Sequence, residues 1–145
     1  MKLQIVMPMS NKPLNKFSYR IYYEDTDAGG VVYYANYLKF FERARTDFLR
    51  ELGINQSQLL QEQSVCFVVR KCEIEYISPA KLDDMILVDV EIVNVSATTI
   101  TMNQKIHRDN KMLSSLKVEI VCVDSKSFKP RRISEETKNL IVLKE

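Results

Sequence analysis

The 145-residue chain has little of several residue types that catalytic and structural scaffolds usually need: three glycines, four prolines, three cysteines and one histidine. So few glycines and prolines exclude collagen-like, linker-like and low-complexity classes. Three cysteines, at positions 66, 72 and 122, are an odd number at ragged spacing. They suit neither a disulfide framework nor a zinc site and read as reduced thiols of a cytoplasmic protein. The single histidine, His107, falls at the end of a predicted strand. No G-x-S-x-G elbow or local cysteine signature accompanies it, so a Ser/His/Asp or Cys/His site has no frame. G-x-G-x-x-G and P-loop motifs are absent as well. Apolar runs are short: Leu3 to Met7 is interrupted by Gln4 and ended by Pro8. That is too little for a signal peptide, and no window nears the roughly 20 apolar residues that cross a bilayer, so no membrane insertion is expected. Charge of one sign is lacking too. Twenty-one Lys+Arg against 19 Asp+Glu leave a net +2, which argues against nucleic acid as a partner.

What is present suits one folded domain. Hydrophobic residues make up 46% and charged residues 28%, enough to fill a core at this length. Residues 1–16 have no clear period and read as a flexible N-terminal extension, leaving 17–145 as a single domain. A strand is expected over 19–23, where the sequence is aromatic and β-branched. Tyr37, Phe40, Phe41, Ala44, Phe48, Leu49 and Leu52 then recur at three- and four-residue steps, the stripe of one long helix. Asn36 is its expected N-cap and Gly53 its C-terminal stop. Lys39, Glu42, Arg43, Arg45, Asp47, Arg50 and Glu51 fill the remaining positions, with Arg43 and Asp47 as an i,i+4 pair. A short helix is expected around 57–62. Beyond residue 64 the period drops to two, giving strands over 68–76, 86–92, 98–106 and 116–122, then a short helix capped by Ser134. Short turns imply antiparallel pairing of consecutive strands. The fold class is therefore α+β: one curved antiparallel sheet wrapped around one long central helix.

One segment stands apart chemically. Glu24-Asp25-Thr26-Asp27-Ala28-Gly29-Gly30 cannot continue a strand, and it is followed by Val31-Val32 and a helix start. Asp25-x-Asp27-x-x-Gly30 opens like a calcium loop, but Asn36 stands where the bidentate glutamate is required, so no metal is expected. Two uses remain open. The aspartates can cap a turn. Alternatively, a carboxylate just before a helix N-terminus can act on a carbonyl whose oxyanion is held by free N–H groups. The basic residues Lys126, Lys129, Arg131 and Arg132 read as a solvated turn.

The run Tyr22-Tyr23-Glu24-Asp25-Thr26-Asp27-Ala28-Gly29-Gly30-Val31-Val32-Tyr33-Tyr34-Ala35-Asn36-Tyr37, with Phe41-Glu42-Arg43-Ala44-Arg45 after it, resembles the signature of hotdog-fold acyl-CoA thioesterases. Within them it is most similar to the 4-hydroxybenzoyl-CoA thioesterase family, in the bacterial branch associated with the Tol-Pal cell-envelope system. Phe67-Val68-Val69-Arg70, the stretch Ser78 to Asp84, Cys122-Val123-Asp124 and Lys129-Pro130 extend the likeness over 19–132. The resemblance implies that Asp27 is the catalytic carboxylate, as nucleophile or general base. It implies that a backbone N–H near Tyr34 polarises the thioester carbonyl, and that Gly30, Val32 and Tyr34 bind substrate. Tyr34 stands where that branch usually has histidine, and a backbone donor survives the change. The basic triplet that contacts the CoA phosphate in the hydroxybenzoyl enzyme has no counterpart in Ser96-Ala97-Thr98. No cofactor or metal is implied. The implied partners are an acyl-CoA substrate, with acyl carrier protein as an alternative carrier, and further copies of the chain in a dimer of dimers. The rival expectation is a non-catalytic acyl-CoA or carrier-protein binding module or cell-envelope partner, which turnover with thiol release separates from an enzyme.

Overall fold

A computed structural model describes residues 14–144. Most of the expected extension lies outside them, and its last residue, Lys16, is already in the sheet. Strand β1 (Lys16–Arg20) begins earlier than the aromatic run suggests. The chain leaves it at Ile21 because Tyr23–Asp25 form a 3-10 turn, fixed by the Tyr22 N–H donating to the Asp25 carboxylate at 2.8 Å.

Helix α1 (Asn36–Glu51) buries Tyr37, Phe40, Phe41, Ala44, Phe48 and Leu49 against the sheet. Burial of side chains such as Phe40 and Phe41 contributes on the order of 1.5–3 kcal/mol each. Asn36 is the first helical residue rather than the cap. Ala35 occupies the cap position without a side-chain bond, and the Asn36 amide instead donates back to the Asp25 carbonyl at 2.9 Å. Gly53 ends the helix at φ +96°, a conformation that disfavours other residues. The expected Arg43–Asp47 pair is replaced: Arg43 lies over the Phe40 ring at 5.4 Å, and Asp47 takes Arg50 at 3.3 Å and the Tyr19 hydroxyl at 2.6 Å. Arg45, expected among the solvent-facing positions, is buried. Helix α2 (Gln56–Gln63) starts on the Asn55 side chain, which accepts the Gln58 N–H, and α3 (Glu135–Lys144) starts on Ser134, which accepts the Thr137 N–H.

The remaining strands are β2 (Val65–Tyr76), β3 (Met85–Asp89), β4 (Glu91–Val95), β5 (Thr99–Arg108) and β6 (Lys111–Asp124). All pairings are antiparallel, in the order β1-β3-β5-β6-β2, with β4 also on β5. The single strand expected over 86–92 is thus broken at Val90, whose N–H goes to the Asn15 carbonyl at 3.0 Å. Consecutive pairing fails for β2 and β3. Residues 77–84 cross between them as a strap, leaving β2 at one edge with β6 as its partner. Inward residues of β5 and β6, including Ile100, Met102, Ile106, Leu116, Val118 and Ile120, meet α1 in one core. No helix among the described residues is long and apolar enough to cross a membrane.

Candidate active site

Residues 25–33 fold as a small hairpin. The Tyr33 N–H donates to the Asp25 carbonyl at 3.0 Å, Thr26 bridges Val32, the Asp27 N–H donates to the Val31 carbonyl at 2.9 Å, and the Gly30 N–H returns to the Asp27 carbonyl at 3.0 Å. Gly30 closes the turn at φ +79°, which explains a glycine there. Gly29 serves a different purpose. Its N–H donates to Asp27 Oδ1 at 2.8 Å, and an added Cβ would come within 3.3 Å of that oxygen. The hairpin is held from outside by the strap. Val32 donates to the Ala80 carbonyl at 2.9 Å, Leu82 donates to the Gly30 carbonyl at 3.2 Å, and Val31 bridges Lys81.

This geometry separates the two aspartates. Asp25 is 8% exposed. Its carboxylate caps Tyr22 and its carbonyl serves both Tyr33 and Asn36, so it fills the turn-capping role. Asp27 is exposed at the hairpin tip, with one carboxylate oxygen held and, among the described residues, the other without a hydrogen-bond donor. The hairpin pairing returns the chain beside Asp27 and feeds it directly into the first turn of α1. There the Asn36 N–H donates to the Tyr33 carbonyl at 2.8 Å. Among the described residues the N–H groups of Tyr34 and Ala35 have no acceptor. A carboxylate and two free N–H groups at a helix N-terminus can activate water or attack a carbonyl while holding the oxyanion.

The expected substrate contacts divide. Tyr34 is 62% exposed and stacks beside Tyr33, with centroids 4.8 Å apart. Gly30 is half-buried at the tip. Val32 differs from expectation: its side chain is in the core and its N–H is taken by Ala80, so it supports the loop from behind. Sequence reading missed Tyr76, whose hydroxyl donates to the Tyr34 carbonyl at 3.0 Å. The only signal was an aromatic residue just before the Ser78-Pro79 break.

Other titratable groups lie elsewhere. Glu42 makes no ion pair with Arg45 and instead accepts the Thr46 hydroxyl at 2.6 Å. Both line a cavity of about 120 Å³ with Leu49, Phe67 and Val69. Arg45 Nη1 donates to Gln104 Oε1 at 3.1 Å, and burial lowers the guanidinium's pKa. Burial also pushes the Cys122 thiol up, away from the reactive thiolate. Arg131 is structural, donating to the Gln63 carbonyl at 2.9 Å and lying 3.6 Å from Asp124. His107 is half-buried on β5. No metal-ligating cluster of three occurs among the described residues.

Comparison with known proteins identifies the family. Residues 22–141 match the thioesterase-like superfamily. The chain is 49% identical over 126 residues to the acyl-CoA thioesterase YbgC of Haemophilus influenzae, covering 86% of this chain and 93% of that one. A probable thioesterase from Bartonella henselae superposes with a TM-score of 0.79 at 38% identity, over 82% of this chain and 98% of that one. A 1,4-dihydroxy-2-naphthoyl-CoA thioesterase from Synechocystis shares the fold, with a TM-score of 0.81 at 20% identity over 88% of this chain and 95% of that one. The chain, an antiparallel sheet packed on α1, is therefore a hotdog-fold enzyme that belongs to the thioesterase-like superfamily.

Proposed function

We propose that the protein hydrolyses acyl-CoA thioesters in the cytoplasm, where such esters are made, releasing a carboxylic acid and free CoA. The observation that carries the mechanism is the Asp27 carboxylate, oriented by the Gly29 N–H and otherwise unengaged, on the hairpin that runs into the N–H groups of Tyr34 and Ala35. As general base, Asp27 takes a proton from water as the water oxygen adds to the thioester carbonyl. The C–S bond then breaks, and the sulfur leaves as the thiol with that proton. As nucleophile, a carboxylate oxygen adds instead, the C–S bond breaks to expel the CoA thiolate, and water hydrolyses the resulting anhydride, regenerating the Asp27 carboxylate and supplying the thiol's proton. In both routes the Tyr34 N–H meets the oxyanion, and Gly30 leaves the hairpin tip clear for the thioester. A thioester carbonyl is electrophilic enough for one carboxylate and one or two donors to suffice.

The site is open in a single chain, and the edge of β2 lies unpaired within the described residues. Both features support a homo-oligomer built from dimers, with the acyl group covered by a second copy. The carrier is CoA in this reading; an acyl carrier protein would present the same thioester to the same groups.

The test is Asp27→Asn assayed for thiol release from a panel of acyl-CoAs. A fall in kcat of about 10²–10⁴ is expected, the scale of positioned acid–base chemistry. Asp25→Asn in parallel should cost less in kcat and more in stability, because its carboxylate holds backbone. Turnover above about a third of wild type for Asp27→Asn overturns the assignment.

A further inference from the structure

The two free N–H groups belong to consecutive peptide units, and each unit's carbonyl is engaged at its far end. The Tyr33 carbonyl accepts the Asn36 N–H at 2.8 Å, in the turn that leads into the helix. The Tyr34 carbonyl has no comparable helical partner, since the Tyr37 N–H reaches it only at 3.4 Å. Its better donor comes from outside the helix: the Tyr76 hydroxyl at 3.0 Å. A peptide is planar, so fixing its C=O fixes the direction of its N–H, here that of Ala35. A hydrogen bond received at the carbonyl also polarises the unit and strengthens donation from the other end.

We infer that Tyr76 is a positioning residue for the proposed reaction: through the Tyr34 carbonyl, its hydroxyl aims and polarises the peptide carrying the Ala35 N–H, a second oxyanion donor beside that of Tyr34. The inference rests on the acyl-transfer reading given under Proposed function. Tyr76 is well placed for the task. It ends β2, paired with Ser114, so the first turn of α1 is referenced to the sheet rather than to a loop. Its ring meets Tyr37 edge-on at 5.2 Å and 82°, and the Tyr37 hydroxyl accepts the Ala80 N–H from the strap at 3.0 Å. Partial burial, with Tyr34 and Tyr37 adding to it, pushes the Tyr76 phenol upward, so it remains a protonated donor at neutral pH.

Tyr76→Phe keeps the ring and deletes only the donor. With one acyl-CoA substrate, kcat should fall about tenfold while KM stays within about twofold, the size expected for one lost polarising hydrogen bond. Thermal stability should be nearly unchanged. Three results overturn the role: kcat within twofold of wild type, a change confined to KM, or a kcat loss accounted for by a smaller folded fraction. Asp27→Asn measured alongside separates the two readings. If it is inactive while Tyr76→Phe is unimpaired, only the positioning role fails. If it is active, the catalytic reading fails and takes this one with it.

Discussion

The Tyr34 side chain points largely to solvent and meets the Tyr33 ring tilted and the Tyr76 ring edge-on, with centroids 4.8 and 6.3 Å away, whereas its N–H faces the open end of α1. Side chain and backbone can therefore be altered separately. Tyr34→Phe preserves both ring contacts and should hold kcat/KM within about threefold. Tyr34→Pro removes the donor, and a single oxyanion donor is worth roughly 2.7–4 kcal/mol in kcat. Steady-state kinetics of both variants, with circular dichroism to verify folding, provides the check. A folded but inactive Tyr34→Phe would transfer the chemistry to the phenol and remove the backbone account. The same separation explains how much of the site was legible residue by residue. Asp27 and the glycines stand out because loops need particular residue types for particular φ angles and side-chain bonds. The division of labour between Asp25 and Asp27 depends on the partners Tyr22 and Gly29, which composition does not specify.

At the scale of elements, α1, β5 and β6 follow from their periods, because one face of each is buried and the other wet. Period failed where a polar side chain was drawn inward. Gln104 lies in the apolar row Ile100, Met102 and Ile106 of β5, donates to the Phe41 carbonyl at 2.9 Å and accepts from Arg45. That bond between sheet and helix is the reason a charged residue of α1 is buried. Among the described residues no carboxylate lies within ion-pair distance of Arg45. Gln104→Leu should thus cost about 1–3 kcal/mol in denaturant unfolding, because it strips a buried guanidinium of its partner. Arg45→Met combined with Gln104→Leu should recover most of that loss. A double variant as unstable as the sum of the singles would mean that packing, not the polar pair, is responsible. The order of the strands was illegible for a different reason. The Ser78-Pro79 break looks like a hairpin turn, but residues 77–84 bind the hairpin over 25–33 instead of reversing the chain.

At the scale of the whole molecule, the twelve residues of β2 have, among the described residues, a neighbour on one side only, and Val69 on that strand is half exposed. A long edge strand with apolar side chains is an invitation to pair. Its charges, Arg70, Lys71, Glu73 and Glu75, all lie from residue 70 onward, leaving Val65 to Val69 as the adhesive stretch. Val69→Lys should lower the molecular mass found by sedimentation equilibrium and reduce turnover with it, if sites are completed by a second copy. A wild-type protein that sediments as a monomer at all concentrations would remove the oligomer from the proposal. The strap has a consequence of another kind, in time rather than in space. Hydrogen bonds join Ile21 to Asp84 and Asp83, Gly30 to Leu82, and Val32 to Ala80, linking residues 48 to 63 positions apart. On a ribosome, Asp27 is made long before the segment that shapes its hairpin, so the nascent chain carries the proposed catalytic carboxylate but not yet the geometry. Such distant closures come late in folding, so the proposed site is expected to assemble only once the strap has been made.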